Sequence, residues 1–325
     1  MKVLLTDYQQ ADAEMECALL LGAGIEVAVA QCHSPDEVIE AAYDADALVV
    51  QYAPITRAVI EALPNIRLVT INAVGVDSID VDAAREHGVW VCNVPDASVG
   101  EVATHALAMA LSLIRHLPSF DQSIRAGNWQ HTGTGELLRP AETKLGILGF
   151  GRIGQELARL ATLCFGEILA HDPFIEASRW PGTARQVSLE TLFVQSNIVS
   201  LHLPLTAETR NIVSHDLLGK MKHGSYLVNV SRGGLLDVEA LIARLDDGQI
   251  ALAALDVLPN EPPAPGDAIV THNRVLLSPH AAYYSVQSDV ELRRKAVNNV
   301  ISWYRAGHPT NVVVAGRPTH AVTNS

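Results

Sequence analysis

The chain has 325 residues, 48% of them hydrophobic, which at roughly 100–200 residues per domain is material for two cores. Aromatics contribute only 5%, so aliphatic side chains and alanine must fill those cores. Lys and Arg number 23 against 36 Asp and Glu, a formal net charge of −13 with neutral His; so acidic a surface repels phosphate backbones and anionic lipid, which argues against nucleic acid or a membrane as partner.

In chain order, Lys2–Thr6, Ile25–Ala30, Ala47–Gln51, Arg67–Asn72 and Val89–Asn93 read as buried strands separated by helix-like stretches. Ser34-Pro35-Asp36-Glu37 starts a helix, with Ser as N-cap, Pro in the first turn and acids near the positive end of the dipole. Pro54-Ile55-Thr56 and Ile79-Asp80 open two more on the same logic. Strands that are apolar throughout, alternating with helices, predict a parallel sheet covered on both faces. One long helical pattern then runs from Val99 to about Ala126, apolar at Val102, Leu107, Ala110, Leu111 and Ile114, and Asn128–Leu138 reads as a loop. At Thr143 the alternation starts afresh. Leu145–Gly149, Glu167–Asp172, Asn197–His202, Ser225–Val230, Ala251–Asp256 and Val275–Ser278 are strand candidates, and Val286–Tyr304 is a last helix. The expected architecture is α/β, two complete blocks that read as two domains with a cleft between them.

Cys17, Cys32, Cys92 and Cys164 form no CxxC pair and read as small core residues in a reducing compartment. Met1-Lys2 leads directly into a strand, and Val102–Ile114 is too short and too interrupted to span a bilayer. A soluble, cytoplasmic protein is expected.

The residues from Thr143 to Gly154 form a strand, then G-x-G-x-x-G, then a helix. Gly149 allows the tight turn, Gly151 lets backbone approach a pyrophosphate, and Gly154 lets helix pack on strand, while N–H groups of the new helix face the anion. Asp172 ends the next strand, 18 residues after Gly154, where a carboxylate accepts hydrogen bonds from an adenosine ribose and repels a 2′-phosphate. NAD is thereby favoured over NADP. The bland alternative is a strand-end Asp capping the turn before Pro173.

Three later strand ends concentrate polar chemistry. Asn229-Val230-Ser231-Arg232 ends one strand in an Arg, Leu255-Asp256 ends another in an acid followed by Glu261, and Ser278-Pro279-His280 ends a third in a His. Taken singly, each has an ordinary structural reading. An Arg, an acid and a His at one edge of one sheet, beside a dinucleotide loop, are much harder to set down to structure alone.

On Gly149–Gly154, Asn229–Asp237, Ala253–Pro262 and Ser278–Ala282 the chain resembles the D-isomer-specific 2-hydroxyacid dehydrogenases, from roughly Asp46 to Pro309. The resemblance implies two Rossmann-like domains with parallel sheets: a substrate-binding domain of residues 1–98 plus 285–325 and an NAD-binding domain of residues 99–284. It implies a catalytic set of Arg232, Glu261 and His280. Arg232 would hold the substrate carboxylate and carbonyl, His280 would exchange the proton, and Glu261 would orient the imidazole and favour its charged form. The implied cofactor contacts are Gly149, Phe150, Gly151, Arg152, Ile153 and Gly154, then Asp172 and Pro173, then His202, Leu203, Pro204 and Thr209. Val230, Ser231, Arg232, Asp256, His280 and Ala282 complete them, with Asp256 at the nicotinamide end. Tyr52, Val74, Gly75, Arg232 and Tyr283 would contact the substrate, a small 2-keto or 2-hydroxy acid. The family also implies a homodimer.

Two departures stand out. Ala73 replaces a glycine common in the substrate loop, and Ala281-Ala282-Tyr283-Tyr284 after His280 resembles the carboxy-terminal-binding-protein corepressors. That aromatic motivates a second reading, an NADH-responsive scaffold with little turnover. A third, oxidation of a one-carbon or inorganic acid, fits less well because relatives with that chemistry depart from the Glu261–His280 pairing. Thirteen histidines invite a metal reading, but no H-E-x-x-H occurs, and His33, His87, His105, His116 and His131 are expected at the surface or at caps. G-x-S-x-G and a P-loop are absent, and the sequon Asn229-Val230-Ser231 falls in an expected buried strand.

Overall fold

The computed structural model describes residues 1–8, 12–133 and 135–317. In chain order the first elements are β1 (Lys2–Leu5), α1 (Glu14–Gly22), β2 (Glu26–Val29), α2 (Pro35–Ala41), β3 (Ala47–Val50), α3 (Arg57–Ala62), β4 (Leu68–Ile71), α4 (Val81–His87) and β5 (Trp90–Cys92). Then come α5 (Val99–Ile114), α6 (Leu117–Arg125), β6 (Lys144–Leu148), α7 (Arg152–Ala161), β7 (Glu167–His171), β8 (Arg185–Gln186), α8 (Leu189–Gln195) and β9 (Ile198–Leu201). The remainder are α9 (His215–Lys220), β10 (Ser225–Asn229), α10 (Val238–Asp246), β11 (Ile250–Leu255), α11 (Ala268–Thr271), β12 (Val275–Leu277), α12 (Val286–Ala306) and β13 (Val312–Val314).

The chain divides into two compact units, Met1–Ser98 with Ser285–Ser325, and Val99–Tyr284. The first holds a six-stranded sheet in the order β13-β5-β4-β3-β1-β2. Its strands run parallel except β13, which pairs antiparallel with β5. Ser34, Thr56 and Asp80 cap α2, α3 and α4 through their side-chain oxygens, as the helix-start patterns predict. The strand β2 lies at the sheet edge with both ends exposed, so it is not the buried strand its apolar run suggests.

The second unit holds a seven-stranded parallel sheet in the order β12-β11-β10-β9-β6-β7-β8. Alternate side chains feed two cores. Leu145, Ile147, Ile198, Tyr226 and Val228 face α5 and α7, while Leu169, Val199, Leu201 and Leu227 face the α8–α10 side. Both faces are covered, which is why the strands are apolar throughout.

The long helix expected over Val99–Ala126 is two helices. Pro118 lies in the first turn of α6, and without an N–H it cannot continue the ladder from α5. His116 at the break adopts a left-handed φ of 51° and its Nε2 lies 2.8 Å from the Tyr226 hydroxyl. Of the two places expected for it, His116 takes the cap: it is the N-cap residue of α6, and it is buried there rather than at the surface. Cys32 and Cys92 are buried, but Cys17 and Cys164 are only half-buried, short of the core positions expected for them. Among the described residues no helix is long and apolar enough to cross a membrane.

Candidate active site

Within Val99–Tyr284, β6 runs through Gly149-Phe150-Gly151 into α7. Gly149 turns with φ 89°, and a Cβ there would lie 2.4 Å from the His202 carbonyl oxygen. At Gly154 a Cβ would lie 2.3 Å from the Gly149 oxygen, so helix and strand approach as only glycine permits. Gly151 differs: an added Cβ would meet nothing within 4 Å. The starts of α8, α9, α10 and α12 are capped by Ser188, Ser214, Asp237 and Ser285, whereas α7 has no side-chain cap. An uncapped helix start beside open space is what an anionic ligand requires.

Asp172, directly after β7, accepts the Phe150 N–H at Oδ2 and the Phe174 N–H at Oδ1, both at 2.9 Å. Each oxygen keeps lone-pair capacity for a hydroxyl donor. Trp180 stacks on Phe150 with centroids 4.8 Å apart. After β9, burial pushes the His202 imidazole down to about 3, so it is neutral. Its Nε2 lies 2.8 Å from Ser200 Oγ, and its Nδ1 has no partner among the described residues. The following segment is closed by Thr209, whose hydroxyl donates to the Pro204 carbonyl at 2.7 Å.

Asn229, Leu255 and Leu277 share one transverse register on β10, β11 and β12. Arg232, Asp256 and His280 therefore leave the same edge of three adjacent strands. Asn229 shapes the first exit: its Nδ2 donates to the Arg232 carbonyl at 2.9 Å and its Oδ1 accepts the Ser231 N–H at 3.0 Å. The next residue, Gly233, is a contact the sequence pattern does not single out. A Cβ there would lie 2.0 Å from the Leu258 carbonyl carbon, so the segment carrying Glu261 packs directly on the Arg232 turn.

Glu261 Oε1 accepts the Leu258 N–H at 2.8 Å, and Oε2 lies 2.6 Å from His280 Nδ1. An ionised carboxylate only accepts, so Nδ1 carries the proton and Nε2 is the nitrogen left for chemistry. Burial pulls the Glu261 carboxyl upward, but the bonds from His280 and Leu258 and the charges of His280 and Arg232 outweigh it and hold the group below its ordinary value. His280 itself sits at φ 52°, left-handed and rare for a side chain of this size. Its N–H donates to the Asp256 carbonyl at 2.7 Å. The Asp256 carboxylate accepts from Ala281 N at 2.9 Å and Ala282 N at 3.0 Å, and Tyr283 packs edge-on to the His280 ring at 6.2 Å. The Asp256 carboxylate thus shapes the His280 turn.

Tyr52, Val74 and Gly75 belong to the first unit. Asn93 Nδ2 donates to the Val74 carbonyl at 2.6 Å and Val94 N–H to the Ala73 carbonyl at 2.9 Å, which anchors the 72–77 segment. Asp7 accepts the N–H groups of Gln51, Tyr52 and Ala53 and so fixes the backbone that presents the exposed Tyr52 ring.

The sequence profile of the D-isomer specific 2-hydroxyacid dehydrogenase NAD binding domain matches residues 107–282. The hydroxypyruvate reductase of Blautia hydrogenotrophica is 32% identical over 86% of this chain and 88% of its own length. This chain belongs to the D-isomer-specific 2-hydroxyacid dehydrogenases. The D-3-phosphoglycerate dehydrogenase 2 of Arabidopsis thaliana is 36% identical over 76% of the chain, but that match spans only 40% of the plant protein. A glyoxylate reductase structure from Paecilomyes thermophila superposes with a TM-score of 0.86 at 30% identity, over 96% of this chain and 97% of that one.

As a member of these dehydrogenases the chain is an oxidoreductase that uses a nicotinamide dinucleotide. Its own residues fit that group: the open space at Gly151, the uncapped α7 start, the spare lone pairs of Asp172 and the unpartnered Nδ1 of His202 all lie where the three adjacent strands β9, β6 and β7 end.

Proposed function

We propose that this dehydrogenase reduces a small 2-keto acid to the D-2-hydroxy acid with NADH and catalyses the reverse oxidation. The observation that carries the reading is the His280 Nδ1–Glu261 Oε2 bond of 2.6 Å at the sheet edge that also presents Arg232. Arg232 holds the substrate carboxylate and carbonyl oxygen in a forked pair of charge-assisted bonds, a geometry that favours guanidinium over ammonium. His280 Nε2 gives its proton to the carbonyl oxygen as charge develops there and recovers one in the oxidation. Glu261 steadies the imidazolium. A nicotinamide dinucleotide held at Gly149–Gly154 and Asp172 would supply the hydride for the keto carbon. Backbone N–H groups of Val74 and Gly75 receive the carboxylate, and the Tyr52 and Tyr283 rings bound the substrate side chain.

The pyrophosphate is assigned to Gly149–Gly154 and the adenosine ribose to Asp172 and Pro173, with NAD preferred because a carboxylate repels a 2′-phosphate. Leu203, Val230 and Ser231 flank the cofactor on neighbouring strand ends. A homodimer is supported by the exposed Leu117, Ile124 and Trp129 on and after α6, and a reducing, cytoplasmic setting by the four unpaired cysteines.

NADH oxidation with glyoxylate, pyruvate and hydroxypyruvate is the direct test. At least one of them turns over, and His280→Gln lowers kcat by about 10²- to 10⁴-fold, the usual worth of a positioned acid–base group. A folded preparation that binds NADH and reduces no member of a broad 2-keto acid panel removes the reading and favours the scaffold alternative.

A further inference from the structure

One polar chain in the second unit lies outside the roles assigned so far. His105, on α5, places Nε2 3.0 Å from Ser278 Oγ, and the Ser278 hydroxyl donates to Asp256 Oδ1. His105 is half-buried, with its side chain 30% exposed, while the Asp256 side chain is 1% exposed. Expected at the surface or at a cap, this histidine lies inside α5, half-buried, and its ring spans from solvent to a buried anion.

The direction of the chain follows from valence. A serine hydroxyl has one proton, and here it goes to the carboxylate. The same hydroxyl can then only accept from His105, so Nε2 carries the proton. Asp256 Oδ1 takes Ser278 and Ala281, and Oδ2 takes Ala282. These donors compensate a carboxylate held almost wholly out of water. The two amides flank His280 on its C-terminal side, and the Asp256 carbonyl binds the His280 N–H at 2.7 Å. A left-handed backbone at His280 persists only where its surroundings over-determine it, and Asp256 is what does so.

We infer that His105 is a positioning residue for the reaction: its Nε2–H fixes the Ser278 hydroxyl on Asp256, and Asp256 fixes the turn that presents His280. The inference rests on His280 being the acid–base group. Neither His105 nor Ser278 touches the reacting atoms in this assignment. Their loss loosens the angle of the imidazole, which lowers the frequency of productive geometry and leaves the groups that hold the substrate carboxylate in place.

The test compares purified full-length variants on the best keto acid found. His105→Leu lowers kcat about tenfold or more while KM stays within about threefold, the signature of a lost transition-state alignment rather than lost binding. His105→Gln, whose amide nitrogen can replace the Nε2 donor, recovers kcat to within about threefold of the parent. Ser278→Ala matches His105→Leu, and the double variant is no slower than either single one, because both break one chain. The inference is overturned by a His105→Leu enzyme with parental kcat, by His105→Gln being as slow as His105→Leu, or by multiplying effects in the double variant. If His105→Leu does not fold, the comparison of Ser278→Ala with the Ser278→Ala/His105→Gln double variant decides, since an intact chain model requires equal rates. His280→Gln is run alongside: parental activity there removes the acid–base reading itself, whereas its loss with a fully active His105→Leu removes only the role of His105.

Discussion

His202 keeps a neutral imidazole inside the fold, and that ties stability to pH at a single residue. Burial pushes the ring down to about 3, whereas in the unfolded chain it takes up a proton near its ordinary value of about 6.5. Between those values the unfolded state binds more protons than the native state, so stability falls as pH falls from about 6.5 toward about 3. The slope from this residue is at most about 1.4 kcal/mol per pH unit. We expect His202→Gln, which cannot be protonated, to flatten the urea-unfolding stability profile of the cofactor-free protein across that range. Parallel profiles for the two proteins would sink the prediction. The burial is not legible in the sequence: His202 follows an apolar strand, a position as suited to a solvated strand end as to a sealed one. Arg232 and His280 were legible as candidates because they closely follow strand ends, and Glu261 because it follows Asp256, the acid at the third strand end. Gly233 and His105 were not, since their partners lie at Leu258 and Ser278, and no local spacing encodes such contacts.

Between elements, the buried ion group joining α1 and α12 separates strong from weak electrostatics. Arg293 donates from Nε and a terminal nitrogen to the two oxygens of Glu16 at 2.5 and 2.6 Å, and also reaches the Asp12 carbonyl at 3.2 Å. Asp289, one turn earlier on α12, adds a contact at 3.5 Å. Both Arg293 and Glu16 are buried, so removing Glu16 leaves the Arg293 charge out of water with only the longer Asp289 contact, at a cost of up to about 3–5 kcal/mol. The Lys220–Glu190 pair is just as short at 2.6 Å but solvent-exposed, where water and salt screen most of the attraction. Glu16→Ala should therefore lower the unfolding free energy several times more than Glu190→Ala in paired urea titrations; equal losses would refute the ranking. Helix starts such as Ser34, Thr56 and Asp80 could be read from sequence because capping is local chemistry. The α5–α6 break was legible in principle from Pro118, and the apolar periodicity around it hid the stop. The antiparallel β13 was hidden for another reason: pairing with β5 across some 220 residues of sequence (roughly, by residue number) leaves no periodic trace.

For the whole molecule, the order of the chain makes the two units unequal. Val99–Tyr284 is continuous, while the other unit needs both ends of the chain. In the split unit α12 packs on β4, and its fully buried Asn299 donates to Thr70 Oγ1 at 3.2 Å and to the Asn93 carbonyl at 3.1 Å. Residues 1–98 alone would lose those contacts together with β13. The continuous unit keeps its seven strands, both of its cores, the glycine loop and the Arg232–Glu261–His280 set within one segment. A segment of such size with its own core is able to fold by itself. A protein of residues 99–284 is therefore expected to melt cooperatively and to be stabilised by NADH, by about 2.7 kcal/mol when the ligand is at 100 times its Kd. It is also expected to reduce no keto acid, because Tyr52, Val74 and Gly75, the residues of the first unit proposed to contact the substrate, are absent. Calorimetry with and without NADH checks the first part and a keto acid assay the second. A segment that shows no cooperative transition would mean that residues outside it hold the nucleotide unit together, and turnover by the segment would remove the first unit from the proposed substrate site.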